Sequence, residues 1–491
     1  MASVNPITRA GEPPSDYGKF LDGKRHSADA GGFEPTFLPD CLFDFQRHLT
    51  TWAIRQGRGA IFADCGLGKS LMELVWAENV VRHTNRPVLL LTPLAVGSQM
   101  VREAERFGID AVRSLDGNAD GCRVVVANYE RLHLFDPAAF AGVVCDESSI
   151  LKSYSGKTQK AVTRFLTKMP YRLLATATAS PNDFIELGTS SEALGNLSHS
   201  EMLRRFFRQL DDKGQKRELR KQDEAVKLIE SDPSYYKKLA FRVSQTIGQW
   251  RLRPHAEAHF WRWVCSWARA CRKPSDLGFP DDGFNLPHLT ERVHLIDGGP
   301  PPGYLFSTVA VGLHAEREER KRTLNERCDR VAELVNHDRP AVVWCHTNAE
   351  ADRLVKVIPN SQQVAGATPD ERKVELYEDF AAERLRVLVI KPKIGAWGLN
   401  WQHCNHVVTF ASHSYEQHYQ SVRRCWRFGQ KRPVTVDVIA TDGEDRVMAG
   451  LQAKAAKMDV LFTMLVEEMN RAEVAQRKNP YTQKQELPQW L

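Results

Sequence analysis

The sequence lacks the devices that hold small secreted proteins together. Ten cysteines are scattered through 491 residues, with no C-x-x-C pair and no Cys/His cluster at zinc spacing. That argues against a disulfide framework and a structural zinc module. No run of eighteen apolar residues occurs, and the opening MASVNPITRAGEPPSDYGKF carries no basic-then-apolar leader. The expected setting is therefore reducing and cytoplasmic, with no membrane partner. Charge of one sign is scarce as well: a net +6 over 491 residues is no polyanion-binding signature in itself. Repeats and low-complexity tracts are absent.

What is present is a series of short β-branched runs separated by helix-length segments. GAIFAD (59–64), PVLLLTP (87–93), CRVVVANY (122–129), AGVVCDE (141–147) and RLLATATA (172–179) form a first group. PAVVWCH (340–346), LRVLVIKP (385–392), HVVTFA (406–411) and VTVDVIA (434–440) form a second. Runs apolar on both faces, alternating with helices, predict parallel sheets covered on both sides. The expected fold class is α/β, with two such domains in tandem at 41–190 and 286–445. An extended arm is expected over 1–40, and a helical extension with a flexible tail over 446–491. Between the domains, 191–285 reads as a mostly helical insertion. Residues 201–255 hold fourteen Lys/Arg against eight Asp/Glu. Beyond them Phe260, Trp263, Val264, Trp267 and Cys271 share a helical face. Such a stripe is expected to pack on a core; base stacking would require it to be exposed.

Two Gly-Lys-hydroxyl triplets compete as a phosphate cradle. Such a cradle needs a strand, a glycine-rich turn and a helix whose first N–H groups face the anion. FADCGLGKSLMEL (62–74) has all three, with Ala63, Gly66, Leu67, Gly68, Lys69 and Ser70 as the binding residues. Lys69 would reach the β- and γ-phosphates of ATP, and Ser70 would ligate Mg²⁺. Ala63 stands where the general pattern has glycine. No strand or paired glycines precede the second triplet around Lys157, so it is a decoy. VVCDESS (143–149) closes another apolar run with an acidic pair. Asp146 would hold the metal and Glu147 would orient or deprotonate the attacking water.

In the second group, QHYQSVRRCWRFGQKRPVTV (417–436) places Gln420, Arg424 and Arg427 at spacings of four and three, on one helical face. Arginines so placed can stabilise transition-state charge on a transferred phosphoryl group. Residues 391–436 contain seven Lys/Arg against one acid, Glu416, a local basic concentration hidden in the net charge.

FADCGLGKS, VVCDESS, TAT (176–178) and QSVRRCWRFGQKRPVTV resemble motifs I, II, III and VI of the superfamily-two helicases. The RFGQKRPVTV ending is similar to the Swi/Snf branch of double-stranded DNA translocases. Supporting matches run in order: FQ at 45–46, LTPLAVGSQMVRE (91–103), ANYERL (127–132), AVVWCHTNAEADRL (341–354) and KIGAWGLNW (393–401). The compact chain with its FWRWV insertion looks most like helicases carried by bacteriophages and prophages. The resemblance implies two tandem RecA-like domains sandwiching Mg-ATP, with Gln46 reading adenine and Thr176 and Thr178 coupling hydrolysis to movement. It implies Thr92, Lys152, Thr347, Asn348 and Lys393 as backbone contacts to DNA, duplex or branched, without base readout.

Departures are Arg423 where the branch carries an acidic or small residue, Pro392 in place of a hydroxyl, and Ala177 and Ala179 in motif III. The expected activity is ATP-dependent, nucleic-acid-stimulated translocation or unwinding of DNA. An RNA-dependent ATPase and a nucleotide-switched clamp are the rival readings. The terminal ELPQWL could dock a partner protein or fold back on the second domain.

Overall fold

The computed structural model describes residues 31–93, 96–118, 124–152, 156–180, 184–210, 246–247, 250–297, 299, 313–395, 399–441 and 444–478. The first thirty residues of the arm, the most basic part of the insertion and the ELPQWL tail lie outside these.

The first sheet holds β1 (Arg58–Ala63), β2 (Val88–Thr92), β3 (Ala111–Arg113), β4 (Val124–Asn128), β5 (Gly142–Asp146) and β6 (Tyr171–Ala175). A further strand, β10 (Ala268–Cys271), joins at the edge, giving the order β10-β1-β6-β5-β2-β4-β3, all parallel. Strands β2 and β4 are buried along their whole length, because helices cover both faces. Two of them flank the phosphate loop: α1 (Asp44–Gln56) and α2 (Lys69–Thr84).

The second sheet contains β11 (Leu289–Ile296), β12 (Ala341–Trp344), β13 (Ser361–Val364), β14 (Val387–Ile390), β15 (His406–Phe410) and β16 (Val434–Thr441). Its order is β11-β16-β15-β12-β14-β13, again all parallel. The molecule is thus α/β with two tandem parallel-sheet domains.

The described residues of the insertion include two helices, His199–Phe206 and α3 (Glu257–Trp267), and a small antiparallel sheet of β7 (Phe207–Gln209), β8 (Thr246–Ile247) and β9 (Trp250–Leu252). Helix α3 stops at Trp267, where Ala268 turns extended at φ −130°, ψ 150°. Cys271 therefore lies on β10 and not on the helix. Phe260, Trp261, Val264 and Trp267 are buried in the first domain's core, and the Trp267 ring meets Phe62 of β1 edge-on at 6.1 Å. Phe260, Val264, Trp267 and Cys271 of the stripe are buried, so the Trp267 ring cannot stack a base, while Trp263 is half-buried against the same cluster. The same geometry carries the first domain past residue 190, through β10.

The last helix also returns to that core. After β16 the chain forms α6 (Asp445–Lys478; α4 and α5 belong to the second domain, below). Leu461, Phe462, Leu465 and Met469 of α6 are buried in the cluster that contains α3. Arg272 donates to the Met458 carbonyl at 2.9 Å and pairs with Asp459 at 3.1 Å. Truncating one of these leucines to alanine should cost about 2–5 kcal/mol. Among the described residues, no helix is long and apolar enough to cross a membrane.

A buried polar chain crosses the second sheet. His294 and His406 donate their Nε2 protons to Asp437, at 2.8 and 2.7 Å. His337 Nε2 lies 2.7 Å from His406 Nδ1, and the Arg339 N–H donates to His337 Nδ1 at 3.2 Å. Every ring is satisfied as a neutral tautomer, so an added proton displaces a neighbour. Burial opposes the Asp437 charge, but the hydrogen bonds from both histidines outweigh it and hold its pKa below the usual range. Burial, then the neighbouring His406, lowers that of His337. Both folded pKa values lie below their unfolded ones, so each group stabilises at neutral pH and loses that contribution as pH falls. In Asp437→Asn the amide accepts from only one histidine, costing about 1–3 kcal/mol at neutral pH. The wild-type melting midpoint should fall more steeply than the variant's from about pH 6.5 to 4. Parallel curves would show that this chain carries no pH-dependent stability.

Candidate nucleotide and nucleic-acid site

The phosphate loop forms where β1 ends. Gly66 and Gly68 both take positive φ, +89° and +74°, the region glycine enters without strain. Gly68 then precedes α2, so Lys69 and Ser70 occupy its first turn, with N–H groups suited to an anion. The Lys69 ammonium folds back on the loop, donating to the carbonyls of Ala63 at 2.8 Å and Asp64 at 3.2 Å. Gln46 braces the loop from α1. Its amide donates to the Leu67 carbonyl at 2.9 Å and its oxygen accepts the Phe43 N–H at 3.1 Å. The side chain expected to read adenine is thus committed, in this state, to holding the cradle. Lys157 opens a helix (Lys157–Leu166) that follows a short 3-10 turn and not a strand, which agrees with its reading as a decoy.

Asp146 ends β5, and Glu147 follows at φ +55°. A non-glycine residue held there is strained, a cost that persists only where the surroundings impose it. Here Glu147 Oε1 accepts from the Thr176 hydroxyl at 2.5 Å and from Ser149 at 3.2 Å. Burial first, then the adjacent Glu147 charge, pushes the Asp146 carboxyl up to about 7, while Lys69 and Arg424 pull it down. A divalent cation would favour its charged form. Behind it Glu73 is fully buried with neither oxygen paired; burial, then Asp146, raises its pKa well above the ordinary range.

The second domain supplies the opposite wall. Helix α4 (Asn348–Val357) and helix α5 (Tyr415–Val422) begin at its cleft edge. Gln420 is 0% exposed and both its amide atoms are unpaired. Arg424 and Arg427 donate to one carbonyl, that of Leu399, at 3.1 and 3.3 Å, leaving both Nε atoms without a partner. Burial, then Arg424, lowers the Arg427 pKa to about 10. Orphaned donors and acceptors on both walls suit a polar, anionic ligand. Among the described residues, no group of three or more His, Cys, Asp or Glu is arranged to hold a metal. A cation at Ser70 and Asp146 therefore needs oxygens from the nucleotide as well.

Three contacts invisible to motif reasoning close the cleft. Arg423 forms an ion pair with Asp64 of the phosphate loop, and the Tyr419 hydroxyl also reaches Asp64. A Cβ placed on Gly66 would lie 2.8 Å from the Phe428 main-chain nitrogen. Arg423 stands out in the sequence only as a departure from the family; its partner Asp64 carries no signal there at all.

The expected backbone contacts divide. Lys393 and Lys152 line a cavity of about 660 Å³ between the domains, together with Glu147 and Glu416. Thr347 caps α4, accepting the Glu350 N–H at 3.2 Å, and Asn348 accepts from Lys391. Thr92 is 0% exposed and its hydroxyl donates to the Pro93 carbonyl at 3.1 Å. Buried at the end of β2, it cannot meet a phosphate in this state. Pro392 begins a four-residue helical turn. A second hollow of about 410 Å³, beside the starts of α4 and α5, gathers Arg317, Arg320, His346, Lys391, Lys393 and His413. Arg317 and Lys391 are additions to the sequence-based set.

Residues 325–429 match the helicase conserved C-terminal domain family. A bifunctional helicase and thymine dioxygenase JBP2 of Trypanosoma cruzi is 30% identical over 206 residues, 40% of this chain and 16% of that protein. The JBP2 of Leishmania infantum is 31% identical over 110 residues, 22% of this chain and 10% of its own length. The chain thus spans a small fraction of these curated relatives. Among solved structures, the Sulfolobus solfataricus SWI2/SNF2 ATPase core in complex with dsDNA is 14% identical at a TM-score of 0.39, covering 91% of this chain and 98% of that one. Mycobacterium smegmatis helicase Lhr bound to ssDNA and AMP-PNP is 14% identical at 0.47, covering 84% and 48%. The match at 325–429 falls within the second domain and spans α4, α5 and the Arg424–Arg427 segment.

Proposed function

We propose that the chain is a nucleic-acid-stimulated ATP hydrolase, a DNA translocase or helicase that moves along or remodels duplex or branched DNA. The observation that carries this reading is one site divided between two domains. Lys69, Ser70, Asp146 and Glu147 belong to the first; Gln420, Arg424 and Arg427 belong to the second and face them, with Arg424 acting electrostatically on Asp146. A site so divided is complete only when the domains close, which ties chemistry to domain movement.

Mg-ATP would supply the phosphoanhydride to be cleaved and the charge-neutralising cation. Lys69 and Ser70 would hold its phosphates and metal, with Asp146 as the protein carboxylate at the cation. Glu147 would take the proton of the attacking water once its Oε1, which now accepts from Thr176 and Ser149, is released. Arg424 and Arg427 would leave the Leu399 carbonyl for the developing phosphate charge. The lysines and arginines of both hollows would grip phosphates, which favours sequence-tolerant binding. The resemblance of GQKRPVTV to double-strand translocases favours DNA over RNA.

Two measurements test this. Steady-state ATP hydrolysis should rise at least about tenfold with duplex DNA, and Glu147→Gln should lower the stimulated rate by roughly 10²-fold or more. Turnover equal with and without DNA or RNA would sink the motor reading, and stimulation by RNA alone would move it to RNA. DNA affinity should also weaken steeply with salt, and Lys391→Ala should lessen the slope of log K against log[salt] by about one. An unchanged slope would remove Lys391 from the phosphate contacts.

A further inference from the structure

Glu416 is the only acid among the seven Lys/Arg of residues 391–436. On a surface built to attract phosphate, an exposed acid would only weaken the field. This one is buried, 4% exposed, and both its oxygens are taken up by the other domain. Oε2 pairs with the Lys152 ammonium, and Oε1 accepts from the Thr178 hydroxyl at 3.4 Å. From Thr178 the chain of contacts continues inward. The Thr178 N–H donates to the Thr176 hydroxyl oxygen at 3.0 Å, and the Thr176 hydroxyl donates to Glu147 Oε1 at 2.5 Å. One unbroken path therefore joins Lys152, which faces the interdomain cavity, to the carboxylate assigned to the attacking water.

We propose that Glu416 is a positioning residue that holds the site in a low-turnover arrangement until a nucleic-acid phosphate takes Lys152 from it. This rests on the motor reading above. The physical basis is competition for one ammonium. A buried carboxylate stripped of its cation is left uncompensated, a strongly unfavourable state. Lys152 is one-third exposed on the cavity wall, with Lys393 lining the same space. A phosphodiester entering there offers Lys152 an equal charge. Once the ammonium turns to it, Glu416 keeps only the long contact from Thr178, and its present place is no longer favoured.

Glu416 lies in the first turn of α5, the helix that carries Tyr419 and Gln420 and runs on into Arg423, Arg424 and Arg427. A shift at Glu416 is therefore a shift of the arginine face. The same shift frees Thr178 and Thr176, and with them the Glu147 oxygen they now occupy. Nucleic acid would thus act through one salt bridge on both catalytic walls.

The test is steady-state ATP hydrolysis by full-length Glu416→Gln, with and without saturating duplex DNA, beside wild type. The DNA-free rate should rise about tenfold while the stimulated rate stays near wild type, so the stimulation ratio falls by about the same factor. The DNA concentration giving half-stimulation should fall, because a competitor for Lys152 has gone. Glu416→Asp should restore the wild-type ratio. Lys152→Gln should raise the DNA-free rate as well, and the double variant should exceed neither single one; this arm stands even if Glu416→Gln folds poorly. A DNA-free rate unchanged or lowered in both Glu416→Gln and Lys152→Gln, with melting midpoints near wild type, overturns the proposal. If wild type is stimulated while the variants keep its ratio, the proposal alone fails. If no nucleic acid stimulates wild type, the motor reading fails and takes the proposal with it.

Discussion

The structure depends on a cleft whose two walls are held together by charge. Asp64 with Arg423, and Lys152 with Glu416, are ion pairs between domains, each with at least one partner almost fully buried. Burying such charges costs several kcal/mol per ion, and their attraction recovers this only in good geometry. Such pairs are therefore poor glue but good registers: they favour one relative placement of the domains and penalise the rest. Both second-domain partners ride on or directly after α5, so a single helix sets the position of Gln420, Arg424 and Arg427. Anything that competes for one of these charges competes for the domain arrangement itself.

A different force sets how far the domains can part. Helix α6 leaves the second domain's last strand and buries Leu461, Phe462, Leu465 and Met469 in the first domain's core. The Ala270 N–H even donates to the Met469 sulfur at 3.1 Å, on the edge strand β10. Apolar burial is non-directional and tolerates small rotations, whereas a buried ion pair does not. The chain thus combines an apolar tether far from the chemistry with polar contacts at it.

The fold was largely legible in the sequence, because strands apolar on both faces announce themselves. Nine runs read as strands lie on strands of the two sheets. Those missed lacked the signal: AVR of β3 is only three residues long, SQQV of β13 is polar, LTERVHLI of β11 is a partly exposed edge, and ARAC of β10 continues a helical stripe without a break. The glycine turn between β1 and α2 and the acid pair at the end of β5 lie where their motifs place them, because each motif carries its own strand and turn signals. Asp64, Tyr419, Arg423 and Glu416 were not readable as partners, since an ion pair between residues more than 250 positions apart leaves no local pattern. Thr92 misled for a related reason. Its place in a motif says which strand end it occupies, but not that its side chain is buried.

Contacts within each domain engage the residues proposed for catalysis. Lys69 is turned onto the Ala63 carbonyl, Arg424 and Arg427 share the Leu399 carbonyl, and Glu147 gives one oxygen to Thr176 and Ser149. On the proposed reading these atoms hold protein partners where a phosphate or a water would stand, while Gln420 and the Nε atoms of Arg424 and Arg427 stay unpaired. None of these substitutes is strong: a neutral carbonyl shared by two guanidinium groups is a weaker partner than a phosphate oxyanion. The site is thus parked in contacts that a nucleotide can outbid singly. The interdomain ion pairs, being charged on both sides, are harder to displace and require a second anion. On the proposed reading two ligands of like charge would act on α5, one from the glycine loop and one at Lys152.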